Sequence, residues 1–121
     1  MIINGFPMGG GGGIEYAEGT ESKAFKAYSY TFTVNTLGFT PQVLYVDVST
    51  YSNVYSSYHQ LMAMLNEDGT TRTLISVRGN YTNIPSVTII DGGFSILVYA
   101  PAGNGGSYDS AGGSINFKAW G

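Results

Sequence analysis

The chain has 121 residues, of which 43% are hydrophobic and 11% charged, and five basic against eight acidic residues leave a net charge of −3. That length suits one domain with one core. The bases (Lys23, Lys26, Arg72, Arg78, Lys118) are too scattered to form the positive face that nucleic acid or an anionic membrane requires, and no apolar run approaches the roughly 20 residues that span a bilayer.

Cysteine is absent, which removes disulfides, thiolate metal sites and a Cys nucleophile. Charge stands at less than half of the roughly 25% usual in soluble proteins, so the surface must be built from Ser, Thr, Asn, Gly and Tyr. Ten Tyr, six Phe and one Trp exceed what a core of this size needs. Some tyrosines are therefore expected at the surface or an interface, where a rigid ring with a hydroxyl is useful.

Residues 1–13 combine apolar anchors, Ile2, Ile3, Phe6 and Met8, with five consecutive glycines, Gly9 to Gly13. The segment lacks the basic start and continuous apolar stretch of a signal peptide. The expectation is a chain that stays where it is made or leaves by another route. The segment reads as an assembly arm that lies apart from the β-core and is ordered only by docking on something. Residues 14–27 carry more charge and show no clean period, so 1–27 is expected to be arm and linker, with the folded domain at 28–121.

From Tyr28 to Asn35 the period becomes two: Tyr28, Tyr30, Phe32 and Val34 alternate with Ser29, Thr31, Thr33 and Asn35, as in a half-buried antiparallel strand. After a turn around Gly38 and Pro41, Val43 to Val48 is apolar on both faces and reads as a central strand. The stretch from His59 to Leu65 fits a short helix or a strand. The turn signal Asn66-Glu67-Asp68-Gly69 and the β-rich run Thr71 to Val77 favour a hairpin. Two further strands, Ser86 to Ile90 and Phe94 to Ala100, flank Asp91-Gly92-Gly93. A glycine-rich loop, Pro101 to Gly113, precedes a closing strand, Ser114 to Trp120. Seven or eight short strands with turns at this spacing predict an all-β, antiparallel, jelly-roll-like β-sandwich.

Chemistry-bearing patterns are sparse. The single histidine, His59, has no second strong ligand at zinc spacing and reads as a packing or surface residue. Asp47 is the one acid inside a strand and should find a hydrogen-bond partner there. Gly103 to Gly113 lacks the Lys-Ser/Thr ending of a phosphate-binding loop and has no helix after it. It reads either as a contact surface offering Asn104, Tyr108 and Asp109 or as a plain connection. Asn80-Tyr81-Thr82 matches a glycosylation sequon and, without a secretory signal, reads as a chance match. Tyr51, Tyr55 and Tyr58 form either a stacking platform for sugar rings or part of a subunit interface. No catalytic group, metal site or cofactor is expected.

Three short motifs run through residues 37–121: Gly38-Phe39-Thr40-Pro41 leading into the first long apolar strand, Gly93-Phe94 in a hairpin, and Ile115 to Gly121 ending in Ala-Trp-Gly. Together they resemble bacteriophage tail-fibre and receptor-binding domains. The resemblance implies a non-enzymatic virion protein, often trimeric, acting in assembly or host adhesion. The short N-terminus departs from a full fibre and favours a small tail-tip, baseplate or head-decoration subunit. Its implied partners are other virion proteins and further copies of itself, with a host-surface glycan as a candidate ligand, and neither nucleic acid nor membrane insertion. The alternative is a carbohydrate-binding module using the surface tyrosines and the 101–113 loop.

Overall fold

Alternation of apolar and polar residues, with turn residues between the runs, gives a chain built of antiparallel strands. The computed structural model describes residues 2–5, 15–78, 84–101 and 107–121. Nine strands lie among them: β1 (Ile2–Gly5), β2 (Tyr16–Lys23), β3 (Ser29–Val34), β4 (Val43–Tyr51), β5 (Ser56–Leu65), β6 (Thr71–Arg78), β7 (Ser86–Ile90), β8 (Gly93–Tyr99) and β9 (Gly112–Trp120). They make a six-stranded sheet in the order β1-β2-β9-β4-β5-β6 and a three-stranded sheet in the order β3-β8-β7. No helix occurs among the described residues, and the two antiparallel sheets pack together as the expected β-sandwich.

The core lies between the sheets. Leu44, Val46 and Val48 of β4 alternate inward, and Phe94, Ile96 and Val98 of β8 meet them from the smaller sheet, all fully buried. Phe94 and Phe117 join the layers edge to face, with ring centroids 5.1 Å apart at 69°, a geometry that adds to the burial of both rings. Phe117 is 2% exposed, as expected of a core residue, whereas Phe39 is only partly buried and packs at the margin. The run from Val43 to Val48 is central, between β9 and β5. Its second face is not buried, however: Val43, Tyr45 and Asp47 are half-exposed on the outside of the large sheet.

Residues 59–65 are strand. β5 pairs with β6 from Tyr58↔Arg78 to Leu65↔Thr71. The turn between them closes through Asn66 N–H to the Thr70 carbonyl at 2.8 Å, with Gly69 at φ 86°. In the smaller sheet the two-residue turn Asp91-Gly92 joins β7 to β8. A Cβ at Gly93 would collide with the carbonyl of Val34 on β3. Glycine is needed there so that two backbones can come together.

The boundary expected after residue 27 is corrected. β2 runs along β9 for its whole length, from Tyr16↔Trp120 to Lys23↔Gly113. Its inward positions begin with the small Ala17, 1% exposed, and Gly19, and continue with Glu21, whose Oε2 is buried without a hydrogen-bond partner among the described residues. The strand is held by backbone pairing rather than by a row of large apolar side chains, so its composition resembles a linker. The N-terminal segment is likewise not wholly separate: Ile2 and Ile3 lie in β1, which pairs with β2 in the register Ile2↔Thr20 to Gly5↔Ala17.

Candidate functional site

The registers of β2, β9, β4 and β5 bring polar residues into rows on the outer face of the large sheet. One row reads Thr20, Asn116, Asp47, Gln60, and the adjacent one Glu18, Lys118, Tyr45, Met62. Each residue occupies the outward position of its strand because its neighbours in sequence are inward-facing.

Asp47 is the hub of this face. Its Oδ1 accepts hydrogen bonds from the hydroxyls of Tyr45 and Tyr58, both at 2.9 Å. The Tyr45 hydroxyl in turn accepts from Gln60 Nε2 at 2.7 Å. The bond to Asp47, and secondarily burial, raise the Tyr45 hydroxyl above its ordinary pKa, because ionisation would cost the proton that it donates. Across β9, Thr20 Oγ1 donates to Asn116 Oδ1 at 2.6 Å. Tyr16 donates to Glu18 at 2.9 Å and packs on Trp120 at a centroid distance of 5.5 Å. Desolvation first, and then this bond, raise the Tyr16 hydroxyl as well.

Between these groups lies a cleft of about 480 Å³ lined by Glu18, Gly19, Thr20, Tyr45, Asp47, Asn116, Phe117 and Lys118. The lining mixes hydroxyl, amide, carboxylate and ammonium groups with ring surface, which suits hydrogen-bonded recognition of a polar ligand.

The residues singled out from the sequence do not converge on one site. Tyr51 and Tyr58 both face outward on neighbouring strands, but Tyr58 is engaged by Asp47 and the ring of Tyr51 lies against Gly112. Tyr55 sits in the turn after β4, where its carbonyl accepts from Ser52 N–H at 2.9 Å. Tyr108 packs edge-on against Tyr28 at 5.6 Å, and Tyr28 meets Tyr99 at 5.4 Å, which forms a separate aromatic group beside the smaller sheet. Asp109 is exposed in a turn, its N–H 3.4 Å from Ser107 Oγ. Phe6, Met8, the glycine run 9–13, the sequon at 80–82 and Asn104 lie outside the described residues.

His59 faces inward between Val48 and Val77 and is 1% exposed. Its Nε2 has no hydrogen-bond partner among the described residues, and desolvation lowers its pKa. Among those residues no group of three or more His, Cys, Asp or Glu is placed to hold a metal ion. Sequence reading found Asp47 but missed Tyr45, Gln60, Thr20, Asn116 and Lys118. The period-two pattern puts each of them on an outward face, but only the register between strands distant in sequence assembles them. No family model, curated protein or solved structure matches the chain.

Proposed function

We propose that this chain is a non-enzymatic structural or adhesion subunit of a bacteriophage virion, assembling with other virion proteins and with copies of itself. The observation that carries this reading is the construction of the N-terminal edge. β1 is a four-residue strand with β2 as its one partner, and its other edge pairs with no strand among the described residues. An open edge of this kind accepts a strand from a neighbouring subunit through main-chain hydrogen bonds.

The motifs that resemble phage fibre domains sit at joints of the sandwich. Gly38, at φ 83°, turns the chain toward β4, Gly93 lets β8 approach β3, and Trp120 packs on Tyr16 where β9 ends. Such joints support a rigid assembly unit. The test is quantitative mass spectrometry of phage particles purified from the producing culture. The reading expects peptides of this chain at a fixed copy number per particle. Their confinement to the soluble fraction would overturn it.

A further inference from the structure

We propose that the cleft between β2, β9 and β4 is a binding site for a neutral saccharide, held through a pair of adjacent hydroxyls. Asp47 is oriented before any ligand arrives, because Tyr45 and Tyr58 both fix its Oδ1 and Gln60 fixes Tyr45. Its second oxygen, Oδ2, accepts no side-chain hydrogen bond among the described residues, which leaves one aligned acceptor. Across the row, Asn116 uses Oδ1 to accept from Thr20 and keeps its Nδ2 as a donor. Lys118 forms no ion pair among the described residues, although Glu18 is its neighbour across the strands, and so its ammonium is a second available donor.

An acceptor beside two donors in the lining of a shallow cleft matches vicinal sugar hydroxyls, each of which both donates and accepts. The ring of Tyr45 supplies a surface for the C–H face of a pyranose. The cleft volume of about 480 Å³ falls within the roughly 300–1,000 Å³ of small-ligand sites.

The same lining argues against other ligands. Two carboxylates, Glu18 and Asp47, face one ammonium, Lys118, so phosphate, sulfate or an acidic sugar meets net repulsion. A protein partner needs buried apolar anchors, and the large apolar side chain that lines the cleft, Phe117, is 2% exposed and turned into the core. Immobilising Asp47 in advance lowers the ordering cost that makes sugar binding weak. This site lies apart from the turn that carries Tyr55. It is independent of the virion assignment, because a soluble lectin and a phage adhesin would use the cleft alike.

An amide-resolved NMR titration of the full chain tests it, with methyl glucoside, galactoside, mannoside and N-acetylglucosaminide as neutral probes and N-acetylneuraminic acid as the acidic one. The expected result is saturable shifts with at least one neutral glycoside, centred on Glu18, Gly19, Tyr45, Asp47, Asn116 and Lys118. Asp47→Ala and Asn116→Ala should each weaken that binding at least tenfold, and Tyr55→Ser should leave it unchanged. Folding of each variant is checked by the dispersion of the same spectra. No response to any neutral glycoside, binding of the acidic sugar alone, shifts centred on Tyr51 to Tyr55, or full affinity in a folded Asp47→Ala protein would each overturn the assignment. A failed titration with the chain present in particles would overturn the saccharide site and leave the virion reading standing.

Discussion

The hydroxyl of Tyr58 on β5 donates to Oδ1 of Asp47 on β4 at 2.9 Å, fastening two neighbouring strands together on their solvent side. The pair is diagonal in the register, since Asp47 faces Gln60 and Tyr58 faces Ser49. Tyr58→Phe keeps the ring and deletes the bond. It should cost about 0.5–1.5 kcal/mol, the net worth of a single hydrogen bond. A double-mutant cycle with Asp47→Ala, which removes the acceptor, read by denaturant unfolding, should show a coupling of similar size. Strict additivity of the two variants would show that the bond contributes nothing.

Phe117 meets Phe94 across the sandwich and is almost wholly removed from water. Phe117→Ala should destabilise the domain by about 3–5 kcal/mol, a large part of the total stability of a small domain. Phe39→Ala should cost clearly less, because Phe39 only borders the core. Thermal melts that rank the two variants the other way round would contradict this packing.

Gly93 and Gly69 are both turn-adjacent glycines, but they are needed for different reasons. A Cβ at Gly93 runs into the Val34 carbonyl, whereas at Gly69 it meets nothing within 4 Å among the described residues and is opposed only by a φ of 86°. Gly69→Ala should therefore cost about 1–2 kcal/mol. Gly93→Ala should cost more, because β8 must move away from β3. Urea midpoints for the two variants check the order.

His59 is buried without a partner for Nε2 among the described residues, and desolvation lowers its pKa in the folded state. The unfolded chain, with an ordinary histidine near 6.5, then binds the proton more readily than the folded one. The histidine contribution is favourable and constant above that value. Stability should fall as the pH drops through it, and the loss should level off once the pH is below the folded-state pKa. His59→Leu should flatten this dependence in melts taken between neutral and mildly acidic pH. An unchanged slope in the variant would show that His59 does not carry it.

The sandwich was legible in the sequence wherever side chains declare themselves. Ser86 to Ile90, bounded by turn residues and rich in β-branched side chains, became β7 with the same limits, and the Asn66 to Gly69 turn marked the β5–β6 hairpin. β2 was not legible, because its inward residues are Ala17, Gly19 and the charged Glu21, and its charges look like those of a linker. Its place is set by β9, whose paired residues lie ninety or more positions away in sequence. The outer-face site was hidden for the same reason. Asp47 alone stood out as an acid within a strand, while Thr20, Asn116 and Gln60 are ordinary strand residues until the register aligns them. The tyrosines drew attention by number, but Tyr55 and Tyr108 are separated by strands that the sequence does not place.

The account of this chain as an assembly subunit rests on its N-terminal edge, where β1 contributes four backbone-paired residues to the sheet. Removing residues 1–13 and following both melting and entry into particles tests it directly. The truncated chain should melt within a few degrees of the parent, since the core between the two sheets is intact, and yet fail to enter the particle. Normal incorporation of the truncated chain would contradict the account, and a collapse in melting temperature would place the segment in the core instead.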